Sequence, residues 1–237
     1  MIPKVIHYCW FGKKTLPKDV KKCIESWKRY APDYKIIQWN ESNFNVHQHP
    51  FIEDAYEAKA WAFVSDYARL KIIFDNGGIY FDTDVELLKK PDFLLNNNFY
   101  IGVQQAGKFA TTGLGFGAER QNYVVGKMLE KYDQIKFSDK NKNKIACPYL
   151  NMSVLEELGY KYQEEIWSKD EIRVYPCRFF DPIAPGNVEN LMCKDTVSIH
   201  HYSASWSGTG NRLKRKIFRR IGEERIHKIK MVVKNGN

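Results

Sequence analysis

The chain has 237 residues, a formal net charge of +9, 43% hydrophobic and 14% aromatic residues, enough for one large domain or a domain with a small appendage. No apolar run approaches the roughly 18 residues of a membrane-spanning helix. The opening Met1-Ile2-Pro3-Lys4-Val5 lacks the shape of a signal peptide, and the five scattered cysteines hold no Cys-x-x-Cys, which argues against a disulfide framework or a zinc site and fits reduced thiols in a cytosolic protein. Residues 211–237 carry ten Lys or Arg against two Glu, a net +8 of the total +9, so residues 1–210 carry only about +1, which argues against nucleic acid as the main ligand of the body.

Val5 to Phe11 reads as a first strand closed by Gly12. Pro17 to Tyr30 reads as a helix, with Val20, Ile24 and Trp27 at helical spacing. Tyr34 to Trp39 is a second strand, followed by the polar loop Asn40-Glu41-Ser42-Asn43. His47 and His49, near Pro50, read as surface residues of a polar loop. Residues 57–75 read as one long helix through Trp61, Val64, Ala68, Ile72 and Ile73. A short apolar strand, Ile79-Tyr80-Phe81, follows the glycine turn Gly77-Gly78. Further strands are expected at Phe99 to Gln104, Thr111 to Ala118 and Thr196 to His201, and a helix at Asn151 to Leu158. A Ser/Gly-rich loop at 203–210 precedes a basic helix from Asn211. Strands alternating with helices in the first half indicate an α/β sheet with a ligand crevice at the strand ends. The expected domains are a catalytic body over 1–210 and the basic helix over 211–237.

The informative stretch is Ser65-Asp66-Tyr67-Ala68-Arg69 followed by Gly77-Gly78-Ile79-Tyr80-Phe81-Asp82-Thr83-Asp84. Asp82 and Asp84 are two apart, so on an extended chain both project from one face. Two carboxylates at the C-terminal end of a buried strand suit a divalent metal carrying a phosphorylated ligand. An Asp-x-Asp alone is common in solvent-facing turns, and Asp66 with Arg69 could be a helix-surface ion pair at i, i+3; the apolar strand and the upstream pair are what make the motif specific. Trp10 is by itself compatible with core packing.

These residues resemble the GT-A-fold glycosyltransferases of family 32, which include bacterial capsular and O-antigen sugar transferases and yeast-type mannosyltransferases. The likeness lies in Ile2-Pro3-Lys4-Val5-Ile6-His7-Tyr8-Cys9-Trp10-Phe11-Gly12, in Ser65-Asp66-x-x-Arg69 with Gly77-Gly78-Ile79-Tyr80-x-Asp82-x-Asp84, and in the late Ile199-His200-His201-Tyr202-Ser203-Ala204-Ser205-Trp206. It spans roughly residues 2–206, and the catalytic domain of glucosylating bacterial toxins shares much of it. The resemblance implies a Rossmann-like nucleotide-sugar domain with a mixed central sheet, and retention of configuration at the transferred carbon. Trp10 would stack on the uracil of a UDP-sugar, with the Cys9 and Phe11 backbone beside it. Ser65, Asp66, Arg69 and Thr83 would face the donor. Asp82 would contact ribose and sugar, or the metal through water, and Asp84 would bind the metal directly. His200 or His201 would be the late metal or diphosphate ligand. The two face opposite sides of a strand, and the family's Ile-His pair favours His200. Ser205 and Trp206 would close over the diphosphate.

Carboxylates with an imidazole suit Mn²⁺, or Mg²⁺, and Arg69 offers planar, multi-donor recognition of phosphate or sugar oxygens. Thr111-Thr112-Gly113 stands where relatives often carry an Asn facing the donor sugar. The donor expectation is UDP-galactose first, with UDP-glucose and UDP-N-acetylglucosamine behind it. The resemblance implies a glycan or lipid-linked oligosaccharide acceptor, since capsular and O-antigen transferases usually act on lipid-linked acceptors at the inner face of the bacterial cytoplasmic membrane. Leu213, Ile217 and Ile221 amid Lys and Arg make a basic amphipathic stripe suited to an anionic membrane surface. Asp82-Thr83-Asp84-Val85 also fits the nucleophile motif of haloacid-dehalogenase-type phosphatases, but that fold places it on the first strand and needs a later Gly-Asp-x-x-x-Asp cluster that this sequence lacks. A non-catalytic membrane adaptor is the remaining alternative.

Overall fold

The polarity of the chain's apolar runs is resolved by a seven-stranded mixed sheet. The computed structural model describes residues 1–138, 145–185 and 189–203. The predicted basic helix at 211–237, and Ser205 and Trp206, lie outside the described residues. The first strand, β1 (Val5–Cys9), pairs in parallel with β2 (Lys35–Trp39) on one side and with β3 (Gly78–Tyr80) on the other. Helix α1 (Lys18–Tyr30) connects β1 to β2, and helices α2 (Pro50–Glu57) and α3 (Trp61–Asn76) connect β2 to β3. The strand order therefore reverses at β1, which opens a crevice at the C-terminal ends of β1 and β3.

Strand β4 (Val85–Leu87) leaves the main sheet, and β5 (Phe99–Val103) and β6 (Ala110–Ala118) return to it. Beyond them come α4 (Tyr123–Asp133), α5 (Cys147–Glu157), β7 (Trp167–Lys169), β8 (Ile172–Tyr175), α6 (Cys177–Phe180) and β9 (Ser198–His200). The full order is β2-β1-β3-β6-β5-β8-β7, with β4 and β9 forming a separate antiparallel pair. Strand β6 runs antiparallel to β3, so its first residues arrive at the same edge of the sheet as the last residues of β3. One face of the sheet packs with α2, α3, α4 and α5, and the other with α1, β4 and α6.

Some expectations change. The helix expected over 57–75 starts four residues later: Glu57 ends α2, the chain turns through Lys59 at φ 54°, and α3 begins at Trp61. The segment around Pro50 is helical, with proline at its N-terminus where no backbone donor is lost. His47 is exposed as expected, but His49 is not a surface residue. Its Nδ1 accepts the Phe51 N–H, its ring stacks on Tyr67 at 4.8 Å, and Nε2 lies 3.0 Å from Asp133. The sequence reading also passes over α4, β4, β7, β8 and α6. These carry no chemistry-bearing motif, and β4, β7 and α6 are only three or four residues long.

The β1–β3 junction is held by a buried histidine. The Trp39 indole N–H donates to His7 Nδ1 at 2.9 Å, which leaves Nε2–H to donate to the Gly77 carbonyl at 3.0 Å. Gly78, at φ 105°, makes room for this ring, since a Cβ there would sit 2.8 Å from His7 Nε2. Burial pushes the His7 imidazole down to about 4. Its folded pKa is therefore below the unfolded value near 6.5, so its contribution is complete above pH 6.5 and is lost as pH falls through 4. We predict that stability to urea drops between pH 7 and pH 4.5 by roughly 2 kcal/mol more in the wild type than in His7→Gln. Parallel pH dependence of the two proteins would disprove the assignment.

Candidate active site

Helix α3 presents Trp61, Ala62, Ser65, Asp66 and Arg69 along one face, at the i, i+4, i+8 spacing of a helix, and all five line a crevice at the ends of β1 and β3. Cys9, Trp10 and Phe11 reach the same crevice from the end of β1, and Asp82, Thr83 and Asp84 from the end of β3. The described residues named above for the donor and the metal, His200 included but not His201, thus share one space.

The Asp82–Asp84 segment is not the extended strand end expected from the sequence. Strand β3 stops at Tyr80, and the Val85 N–H bonds back to the Asp82 carbonyl at 3.0 Å, closing a turn. The chain has to turn there because Val85 to Leu87 leave the main sheet to pair with β9. The two carboxylates converge through that turn rather than through strand alternation.

Arg69 is the centre of the crevice wall. Its guanidinium lies 2.9 Å from Asp66 and 3.4 Å from Asp82, its Nε–H donates to the Ser65 carbonyl at 3.0 Å, and it stands 5.1 Å over the Tyr80 ring. The Arg69 and Asp66 side chains are only 5% and 12% exposed, so the pair is not a surface ion pair. Burial raises the carboxyls of both Asp66 and Asp82, and Arg69 opposes that rise in each. Asp82 also accepts the Tyr80 hydroxyl at 3.1 Å. Gly113 on β6 is required by contact: a Cβ there would fall 2.4 Å from Asp82 Oδ2. Thr111 lines the crevice, whereas the Thr112 hydroxyl is turned to Arg69 at 3.5 Å.

Asp84 is enclosed by the chain's late segment. The register Val85↔His200 in the β4–β9 pair brings His200 Nε2 to 3.0 Å from Asp84 Oδ1. The Ser203 N–H and hydroxyl donate to Oδ2 at 2.6 and 3.1 Å. Burial works to raise the Asp84 carboxyl, but His200 and Ser203 together hold it well below the usual carboxylate range. One ligand atom each from Asp82, Asp84 and His200 lie within 4.8 Å of one another. Two carboxylate oxygens and an imidazole nitrogen at this spacing are a donor set that fits a divalent ion such as Mn²⁺. His201, on the opposite side of the strand, bonds Glu86 at 2.8 Å and stands outside the cluster.

Trp10 is half-buried, lines the crevice, and its indole N–H donates to the Lys14 carbonyl at 2.6 Å, which fixes the ring. Cys9 is buried in the floor, with its thiol pushed up to about 12 chiefly by burial. Residues that the sequence did not assign to the site also line the crevice, among them Lys14, Trp61, Ala62, Tyr80, Gln104, Cys147 and Tyr202. Tyr202 was legible as part of the late motif. Nothing local marks Gln104 or Cys147, which arrive through the pairing of β5 with β6 and the packing of α5 on β6.

Residues 17–100 match the family described as "Glycosyltransferase sugar-binding region containing DXD motif". The chain is 25% identical over 217 residues to an uncharacterized glycosyltransferase, L373, of Acanthamoeba polyphaga mimivirus, covering 87% of this chain and 84% of that protein. It is 27% identical over 122 residues to inositol phosphoceramide mannosyltransferase 3 of Schizosaccharomyces pombe, covering 48% of this chain but only 33% of that protein. Among solved structures, the PaToxG glycosyltransferase shares the fold with a TM-score of 0.53 at 22% identity, over 66% of this chain and 70% of that one.

The Arg69 geometry gives a stability test. Arg69→Met leaves two buried carboxylates without their cation, and we predict a loss of roughly 3–5 kcal/mol at pH 7 by chemical denaturation. A loss below about 1 kcal/mol, the size of an exposed pair, would show that Arg69 does not hold the wall together.

Proposed function

We propose that this chain is a glycosyltransferase of the GT-A type that moves a hexose, with retention, from a UDP-sugar to a polysaccharide-precursor acceptor in a divalent-metal-dependent reaction; the match to a DXD-bearing sugar-binding region and the likeness to other glycosyltransferases support this reading. The observation that carries the reading is the convergence of Asp82, Asp84 and His200 beside the buried Arg69, at the strand ends where the sheet order reverses. In this reading Asp84 and His200 hold Mn²⁺ or Mg²⁺, with Asp82 ligating directly or through water. When bound, the cation supplies the counter-charge for the diphosphate that departs.

The chain's own residues do the rest. The Trp10 face takes the uracil, worth typically about 1–3 kcal/mol by stacking, with the Cys9 and Phe11 backbone beside it. Arg69, buried and always charged, fixes the Asp66 and Asp82 carboxylates toward the donor sugar, next to Ser65 and Thr83. The walls exclude water from the anomeric carbon, which favours transfer over hydrolysis. Ser205 and Trp206 are assigned to the diphosphate. UDP-galactose is the first donor proposed, then UDP-glucose and UDP-N-acetylglucosamine. Residues 1–210 are taken as the catalytic domain.

The acceptor in this reading is lipid-linked, and residues 211–237 bind an anionic membrane surface, on the inner face of a bacterial cytoplasmic membrane in capsule or O-antigen synthesis. What supports it is the +8 of that segment and its apolar stripe. Among the described residues no helix is long and apolar enough to cross a membrane.

Two measurements test the proposal. With Mn²⁺ and UDP-hexoses, release of UDP should be measurable, and Asp84→Ala should lower it at least about 10²-fold, because several kcal/mol of charge stabilisation are lost; full activity of Asp84→Ala in EDTA would end the metal-dependent reading. The chain should also bind anionic liposomes in a salt-sensitive way, each basic residue contributing on the order of 1 kcal/mol, and removal of residues 211–237 should abolish this while sparing transfer to a soluble acceptor. Equal liposome binding by the shortened chain would refute the membrane role.

A further inference from the structure

Asp181 follows α6 and is fully buried, and among the described residues it has no ion-pair partner. A buried carboxylate without a cation is costly, so its hydrogen bonds are informative. Its Oδ2 accepts the Gln105 backbone N–H and the Tyr202 hydroxyl, both at 2.7 Å. The Gln105 side-chain amide donates onward to the carbonyls of Pro182 and Glu189, each at 2.9 Å. One carboxylate therefore fastens the loop after β5 and the segment after β9 to the same point.

That segment is the one that carries His200. Strand β9 is three residues long and pairs with a three-residue partner, so the ladder alone fixes the imidazole weakly. Nε2 of His200 faces Asp84, but Nδ1 is buried with no hydrogen-bond partner among the described residues. A metal-ligating histidine is normally oriented by a bond from its other nitrogen, and here that bond is missing. The Tyr202 ring takes its place, packing against the imidazole with centroids 4.1 Å apart. Tyr202 holds this position at φ 49°, a left-handed conformation that strains a bulky residue, and its hydroxyl is pinned by Asp181. The Asp181 Oδ1 is likewise buried without a hydrogen-bond partner among the described residues.

We infer that Asp181, acting through Tyr202, is a positioning residue for His200 in the divalent-cation site. The inference rests on the reading that Asp82, Asp84 and His200 hold such a cation. Asp181 touches neither the cation nor the substrate; it sets the angle at which the imidazole meets Asp84, and it ties that angle to the loop bearing Gln104 and Gln105 at the crevice edge.

The test uses the full chain and Mn²⁺ alone, with free ion read by electron paramagnetic resonance. Tyr202→Phe removes one hydroxyl and keeps the ring, so it folds; Asp181→Asn is the second variant. Each is expected to weaken Mn²⁺ binding about tenfold, the low end of what removing an outer-shell partner does. In a His200→Gln background, Tyr202→Phe is expected to change the Mn²⁺ Kd by less than about twofold, because the path runs through the imidazole. A purely structural role would lower Tm and weaken binding alike in both backgrounds. Tyr202→Phe binding Mn²⁺ as the wild type does, or weakening it equally with and without His200, would overturn the inference while leaving the cation reading intact. A wild-type chain that binds no Mn²⁺ would overturn the cation reading and this inference with it.

Discussion

One buried guanidinium organises this molecule. Arg69 joins helix α3 to the turn after β3 and to β6 by contacts to Asp66, Asp82 and Thr112. Asp66 and Asp82 are carboxylates that burial alone would push toward neutrality, and a neutral carboxyl is a poor partner for a cation. The permanent charge of Arg69 counters that tendency. The arrangement also fixes residue choice around it: Tyr80 stands under the guanidinium, and Gly113 is the residue without a side chain against the Asp82 carboxylate.

The second constraint is the departure of β4 from the sheet. The Trp27 indole N–H donates to the Val85 carbonyl at 2.8 Å, and the Ser26 hydroxyl accepts the Leu87 N–H at 2.9 Å, so α1 holds β4 by its two polar contacts and by the apolar face around them. Once β4 is placed, β9 has an edge to pair with, and His200 and Ser203 meet Asp84 from more than a hundred residues away in sequence. The Asp84 side of the crevice is thus assembled by a very small sheet whose position depends on helix α1. That economy explains why further contacts, such as those of Asp181 and Tyr202, converge on the same segment.

Much of this molecule was legible in its sequence because the signals were local. The apolar strand after Gly77-Gly78, the i, i+3 pair Asp66 and Arg69, and the alternation of strands and helices all follow from backbone sterics and side-chain periodicity within a few residues. Strand alternation said that only one of His200 and His201 can face the site, the resemblance's Ile-His pair favoured His200, and the structure sets His200 on Asp84 and His201 on Glu86. The charge segregation into residues 211–237 is likewise a property of composition alone.

What the tertiary structure decided was everything that needed two distant segments to meet. The turn at Asp82-Thr83-Asp84 exists because β4 pairs elsewhere, a fact no local window contains. The burial of Arg69, which converts an ordinary helical ion pair into the wall of a site, depends on β6 running antiparallel beside β3. His49 caps α2 and stacks on Tyr67 only because α2 and α3 pack together. Asp181 looks like a loop acid in the sequence and becomes a buried anchor because Gln105 and Tyr202 reach it from two other elements. The sequence by itself determined the candidate side chains and the strand and helix periods that bring them to one crevice. The register, the turn and the degree of burial, which set their distances and charge states, were decided by long-range packing, where contact energies outweigh local preference.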